Sequence, residues 1–370
     1  VSFERPGSGQ ATAGLWVRVC YVRAERTRRS DSILKQNCDG SGTAPPLWVN
    51  TSRFDRYYSG LYTQPYYTVD GISRTIEAYD KSLDPTGLAI SQYASDTLGT
   101  AVGFGVPITE TDTINFGGRF GPQRCLSRSP CPPVFQDCVN QFGVATTPYI
   151  AAAGWSLHTR DDILLPPKGR RQSVLVETGL PFGDLAYYKV QYVNAVYWPV
   201  YGNLVLMARG DLGYGGGLSG KPLPFFKGFF AGGVDSVRGY DTASLGPRDS
   251  FGNALGGRRK IVGNLEAFYP ILKGDKGVRA SVFMDGGQIY ANGQQSQFES
   301  FRYSAGGGVA WSSPLGPLNF SYALPFNPRH SDRQQPLPFQ ARTAFGRRSP
   351  AHTPDPIAFT FPSRICGSPG

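Results

Sequence analysis

Every second residue is large and apolar over much of this chain, and that period restricts the backbone to strands. In "GPLNFSYALPF" the set Leu318, Phe320, Tyr322, Leu324 and Phe326 alternates with Asn319, Ser321 and Ala323. In "TLGTAVGFGVPI" Leu98, Val102, Phe104, Val106 and Ile108 share one face, with Gly99, Ala101, Gly103 and Gly105 on the other. "KIVGNLEAFYPI" sets Ile261, Leu265, Ala267 and Tyr269 opposite Lys260, Asn264 and Glu266. Alternation of this kind marks half-buried β-strands. Similar segments recur near residues 47–55, 58–67, 73–80, 113–120, 149–158, 172–180, 187–198, 204–214, 279–290 and 303–313. Strands of about ten residues, with aromatic ends and turns between them, are the pattern of a transmembrane antiparallel β-barrel with a polar lumen.

A soluble two-sheet sandwich has the same period, so the composition of the two faces decides between them. One face carries large aromatic and aliphatic groups, while the other is mostly Gly, Ala, Ser and Asn. That split suits a wet or plugged lumen better than a second packed core. Tyr and Trp also gather near strand ends, as in "YVNAVYWPVYG", where a membrane interface favours them. The 47 Gly, 20 Tyr and 23 Phe against 2 Met fit an all-β chain rather than a helical bundle. At 370 residues a single barrel accounts for the length. The best uncharged run for a membrane helix, "QFGVATTPYIAAAGWSLHT", is broken by Pro148 and by small polar residues, so no transmembrane helix is expected. "VSFERPGSGQ" lacks a basic start followed by an apolar core, and is read as the start of a mature or truncated form.

The net charge of +10 invites a nucleic-acid reading, but its distribution argues against one. Residues 1–40 carry +3, and residues 119–138 and 346–370 carry +2 each. These three stretches also hold all six cysteines, Cys20, Cys38, Cys125, Cys131, Cys138 and Cys366. Strand alternation fades in each of them. They read as foreign to the remainder, either as loops and tails or as reading-frame errors; ordinary variable loops are the alternative. No CxxC spacing occurs, which disfavours zinc.

Enzymatic constellations are not found. His158, His330 and His352 have no triad or metal-ligand neighbour at useful spacing. "GGGLSG" at 215–220 fits a dinucleotide fingerprint, yet the prolines of "KPLPFF" exclude the helix that would hold a pyrophosphate. "SILK" at 32–35 lacks its partner motifs, and the "RGD" of Arg209 to Asp211 lies inside a strand. No catalytic, metal or cofactor-binding residue is assigned.

"GGVDSVRGYDTASLGPRDSFGNALGG", followed by "NLEAFYPI", "SVFMDGGQIY" and "SSPLGPLNFSYALPFN", resembles the barrel of the BamA family of outer-membrane protein assembly factors. "YYSGLYTQPYYTVDGISR", "HTRDDILLPPKGRR" and the 187–233 region fit the same order upstream, so the resemblance covers about residues 47–118 and 139–345. It implies sixteen antiparallel strands, no cofactor, and a role in inserting other barrels into the outer membrane of a Gram-negative bacterium. Implied partners are outer-membrane lipids, unfolded outer-membrane protein substrates, and accessory lipoproteins acting through upstream periplasmic domains absent from this chain. Nucleic acid is not among them. The division expected is an irregular segment over 1–46 without a recognisable first strand, a barrel over 47–345, and a foreign-looking tail over 346–370. A last-strand aromatic is expected at Phe345. The alternatives are a polypeptide-secreting transporter of the same superfamily and a passive porin, whose constriction would carry rings of charge.

The resemblance also places "VRGY", Val237 to Tyr240, at the tip of a long extracellular loop folded into the lumen. The period-2 pattern puts Glu266 and Asp285 on the lumen side of consecutive strands, and these two acids are the expected partners of Arg238. A guanidinium bridges carboxylates in a planar, bidentate way that lysine cannot reproduce. Gly239 is expected to permit a strained turn, and Tyr240 to pack on the wall. Arg248, further along the loop, reads as an ordinary exposed residue.

Overall fold

The alternating segments become one antiparallel sheet in the computed structural model, which describes residues 16–19, 28–34, 47–52, 55–83, 93–127, 140–161, 166–249, 252, 254–272, 277–291, 293, 300–313, 316–329, 332–336 and 339–341. Its strands are β1 (Trp16–Val19), β2 (Arg28–Leu34), β3 (Leu47–Ser52), β4 (Asp55–Gln64), β5 (Ser73–Leu83), β6 (Tyr93–Pro107) and β7 (Asp112–Phe120). Next come β8 (Gln123–Ser127), β9 (Ala145–Thr146), β10 (Tyr149–His158), β11 (Gly169–Gly179), β12 (Tyr187–Tyr201), β13 (Leu204–Gly217) and β14 (Gly239–Tyr240). The chain closes with β15 (Arg259–Leu272), β16 (Val278–Tyr290), β17 (Arg302–Ser313), β18 (Gly316–Phe326), β19 (Gln334–Gln335) and β20 (Phe339–Ala341).

Among the described residues, sixteen of these form a single meander: β1 to β7, β10 to β13, β15 to β18 and β20. Each pairs antiparallel with the next, and no pairing joins β1 to β20 among the described residues. β8 continues β7 along β6 in unchanged register, with Phe120 opposite Thr100 and Gln123 opposite Thr97. The break between them falls at Gly121 and Pro122, where proline has no N–H for the ladder. Strand structure therefore enters residues 119–138, although alternation fades there. β1 and β2 likewise lie inside residues 1–46.

Side-chain direction follows the sequence period. Along β16, Val282 is 66% exposed and Met284 54%, while the intervening Phe283 and Asp285 are 5% and 1%. On β18 Phe320, Tyr322 and Leu324 point outward, and Ala323 is buried. Large apolar groups thus cover the outside, as a lipid-facing wall requires. The inner face carries buried Asn115, Gln172, Glu177, Asp211, Asn264, Glu266 and Ser304.

One connection fills much of that interior. The segment between β13 and β15 enters the lumen and supplies Phe229, Ala231, Val237, Tyr240 and Leu245 to a core with the wall residues Val262 and Ile289. No helix is long and apolar enough to cross a membrane among the described residues.

Candidate functional site

Arg238 lies at the centre of the lumen loop. β15 and β16 pair with Asn264 opposite Asp285, and the pleat turns Glu266 and Asp285 to the same inner face. Arg238 donates from Nε and Nη2 to the two oxygens of Asp285, at 2.7 and 2.8 Å, and from Nη1 to Glu266 at 3.0 Å. Its backbone N–H also reaches Asp285, at 3.1 Å. Asn264 completes the cradle, donating to Asp285 at 2.8 Å and to the Ser236 carbonyl at 2.6 Å. The guanidinium stacks on Phe283, with Cζ 3.4 Å from the ring centroid. Burial by itself lowers the guanidinium's hold on its proton, but the hydrogen bonds and charge of Asp285, then Glu266, outweigh it and raise its pKa above the usual value. The site is a fixed, largely buried cation between two carboxylates, with no proton to trade.

The flanking residues lock the tip. Val237 is fully buried, and Gly239 adopts φ +86°, a conformation side chains rarely take. A Cβ at Gly239 would sit 3.2 Å from Ala323 Cβ, so the motif backbone lies directly on β18. Tyr240 is buried and donates its hydroxyl to the Phe326 carbonyl at 2.7 Å. Burial, then the neighbouring Asp332 carboxylate, pushes that hydroxyl up to about 12, which keeps it a donor at any physiological pH.

A second anchor, absent from the sequence reading, holds the start of the loop. Lys227 donates to Glu177 of β11 at 2.9 Å, and Glu177 also faces Arg119 and accepts from Tyr187. Lys189 of β12 donates to the Lys227 carbonyl at 3.1 Å and stands over the Phe229 ring. Period 2 places Glu177 and Lys189 on inner faces, but nothing in the sequence pairs them with a loop lysine 50 and 38 residues later. Phe283 was visible in principle, two residues from Asp285 on the same face.

Of the residues singled out in the sequence, the structure brings together Val237, Arg238, Gly239, Tyr240, Glu266 and Asp285. Phe345 and the tail 346–370 lie outside the described residues. Arg248 is not an exposed loop residue: it is partly buried and donates to the Gly252 and Ser244 carbonyls at 2.6 and 2.9 Å. Among the described residues no group of His, Cys, Asp and Glu could hold a metal ion.

Residues 37–345 match the Omp85 superfamily domain. The outer membrane protein assembly factor BamA of Neisseria meningitidis is 30% identical over 91% of this chain and 47% of its own length. The protein of the same name from Nitratidesulfovibrio vulgaris is 26% identical over 86% of this chain and 40% of its own. The chain spans less than half the length of these curated relatives. In architecture it is similar to the crystal structure of BamA from Haemophilus ducreyi lacking POTRA domains 1-3, with a TM-score of 0.78 at 21% identity, covering 88% of this chain and 74% of that one.

Proposed function

Since the chain belongs to the Omp85 superfamily, we propose that it is the barrel of an outer-membrane protein assembly factor, folding and inserting other barrels into the outer membrane of a Gram-negative bacterium. The observation that carries this reading is the similarity to an assembly factor along 91% of the chain, loop and strands alike. The lumen supports it: among the described residues a loop docks in the interior and pairs its Arg238 with wall carboxylates, whereas a diffusion porin keeps an open constriction lined with charge. Arg238 acts as a tether and not as a catalyst, because a guanidinium between two carboxylates stays protonated. The outer apolar face meets membrane lipid. Unfolded outer-membrane proteins are the substrates, and accessory lipoproteins act through parts of the relatives' length that this chain does not span.

The test is insertion of an unfolded reporter barrel into liposomes that contain the full-length protein. Faster appearance of folded reporter than in bare liposomes is the expected result. Equal rates would remove the assembly reading, and export of one dedicated polypeptide instead would favour a secretion transporter.

A further inference from the structure

The last strand leaves the barrel wall before its end. β20 pairs with β18 from Leu318 opposite Ala341 to Phe320 opposite Phe339. The same register continues to Pro336, whose carbonyl accepts from the Ala323 N–H at 2.9 Å. Two residues on from Ala323, and directed to the same edge, comes Pro325, which has no N–H to offer. Wall pairing ends there. Gln335 and Gln334 turn inward instead and pair, as β19, with Gly239 and Tyr240. The Asp241 N–H extends this small ladder to the Arg333 carbonyl at 2.8 Å.

A buried ion pair fixes the departure. Arg302, at the head of β17, is 2% exposed. It donates from Nε and Nη2 to the two oxygens of Asp332 at 2.8 and 3.2 Å. Its Nη1 serves Gln288 at 2.8 Å and the Ser300 carbonyl at 2.6 Å. Asp332 also accepts from the Arg329 N–H at 2.8 Å, just before β19. A bidentate pair with further hydrogen bonds to both partners holds one geometry. That geometry faces the tip of the lumen loop, where Tyr240 grips the Phe326 carbonyl at the end of β18.

We propose that Arg302 is a second positioning arginine: with Asp332 it clasps residues 332–336 onto the VRGY motif, so that the long-loop end of the last strand follows the lumen loop rather than the barrel wall. Arg238 fixes the loop to β15 and β16, and Arg302 fixes the last strand to the loop. Displacing the loop therefore displaces the strand, and the converse holds with the same coupling energy.

Amide hydrogen exchange of the full-length protein in liposomes tests the clasp. In Asp332→Asn, exchange is expected to rise at least tenfold both at 332–336 and at 239–241, with 282–286 still protected. Because Asp332→Asn leaves a buried guanidinium without its charge partner, the double variant Arg302→Met with Asp332→Asn is measured beside it. Folding of each is checked by heat-modifiable migration. Tyr240→Phe supplies the reciprocal arm, and faster exchange at 332–336 is expected there. Acceleration confined to 329–336 in the folded double variant, with 239–241 unchanged, would show that the pair closes only its own turn and would overturn the proposal. The readout is exchange and not client insertion, so failure of the clasp and failure of the assembly reading are separate results.

Discussion

Arg238 ties the tip of the lumen loop to two wall carboxylates, and the cost of losing it follows from what remains. Removing Arg238 strands Asp285 and Glu266, which are 1% and 9% exposed, without their counter-charge. Breaking a buried pair in this way costs on the order of 3–5 kcal/mol. Arg238→Ala is therefore expected to free the loop, measured as new protease cleavage within 218–258 and slower reporter insertion. Unchanged protection would make the arginine incidental to docking. Arg238→Lys is expected to recover part of the protection, because a point charge satisfies one carboxylate while the two-oxygen grip on Asp285 and the stack on Phe283 are lost. Gly239→Ala brings a different defect, since φ +86° disfavours a side chain and Ala323 already stands 3.2 Å from the added methyl. It is expected to loosen the tip without changing any charge.

The loop as an element is pinned twice, and the pin at its start titrates. Burial pushes the Lys227 ammonium down to about 7, against the pull of Glu177; Arg119, Lys189 and Tyr187 complete its surroundings. A docked pKa below the free lysine value means that docking releases a proton between about pH 7 and the ordinary range near pH 10.4. Docking of residues 225–229 is therefore expected to tighten as pH rises through that window and to be weakest below it. Exchange protection at pH 6.5 and pH 9, corrected for intrinsic rates, gives the answer; protection that falls with pH would mean that the ion pair outweighs desolvation. Most strands were legible because one inner and one outer face must alternate on a wall between water and lipid. The meeting of Arg238 with Glu266 and Asp285 was legible from that period joined to a family resemblance. Lys227 with Glu177, and Arg302 with Asp332, were not, since their partners meet only after a loop has turned back into the lumen. β1, β2 and β8 escaped notice for another reason: backbone pairing holds short strands that carry no alternating pattern.

Taken whole, the molecule is an inverted solvent problem, with aromatic and aliphatic side chains outside and carboxylates, amides and a docked loop within. That inversion predicts a dependence on depth. Met284, in the middle of β16, points outward at 54% exposure, and Leu272, at the turn end of β15, points outward at 57%. In water the two are equivalent. In a bilayer, arginine near the midplane costs about 2–4 kcal/mol, and about 0–1 kcal/mol near an interface. Met284→Arg is therefore expected to lower the unfolding free energy of the barrel in lipid vesicles by the larger amount, read from denaturant titration of heat-modifiable migration, while Leu272→Arg changes it little. Equal effects at the two positions would mean that this face does not cross hydrocarbon, and the membrane assignment of the outer wall would fall with that result.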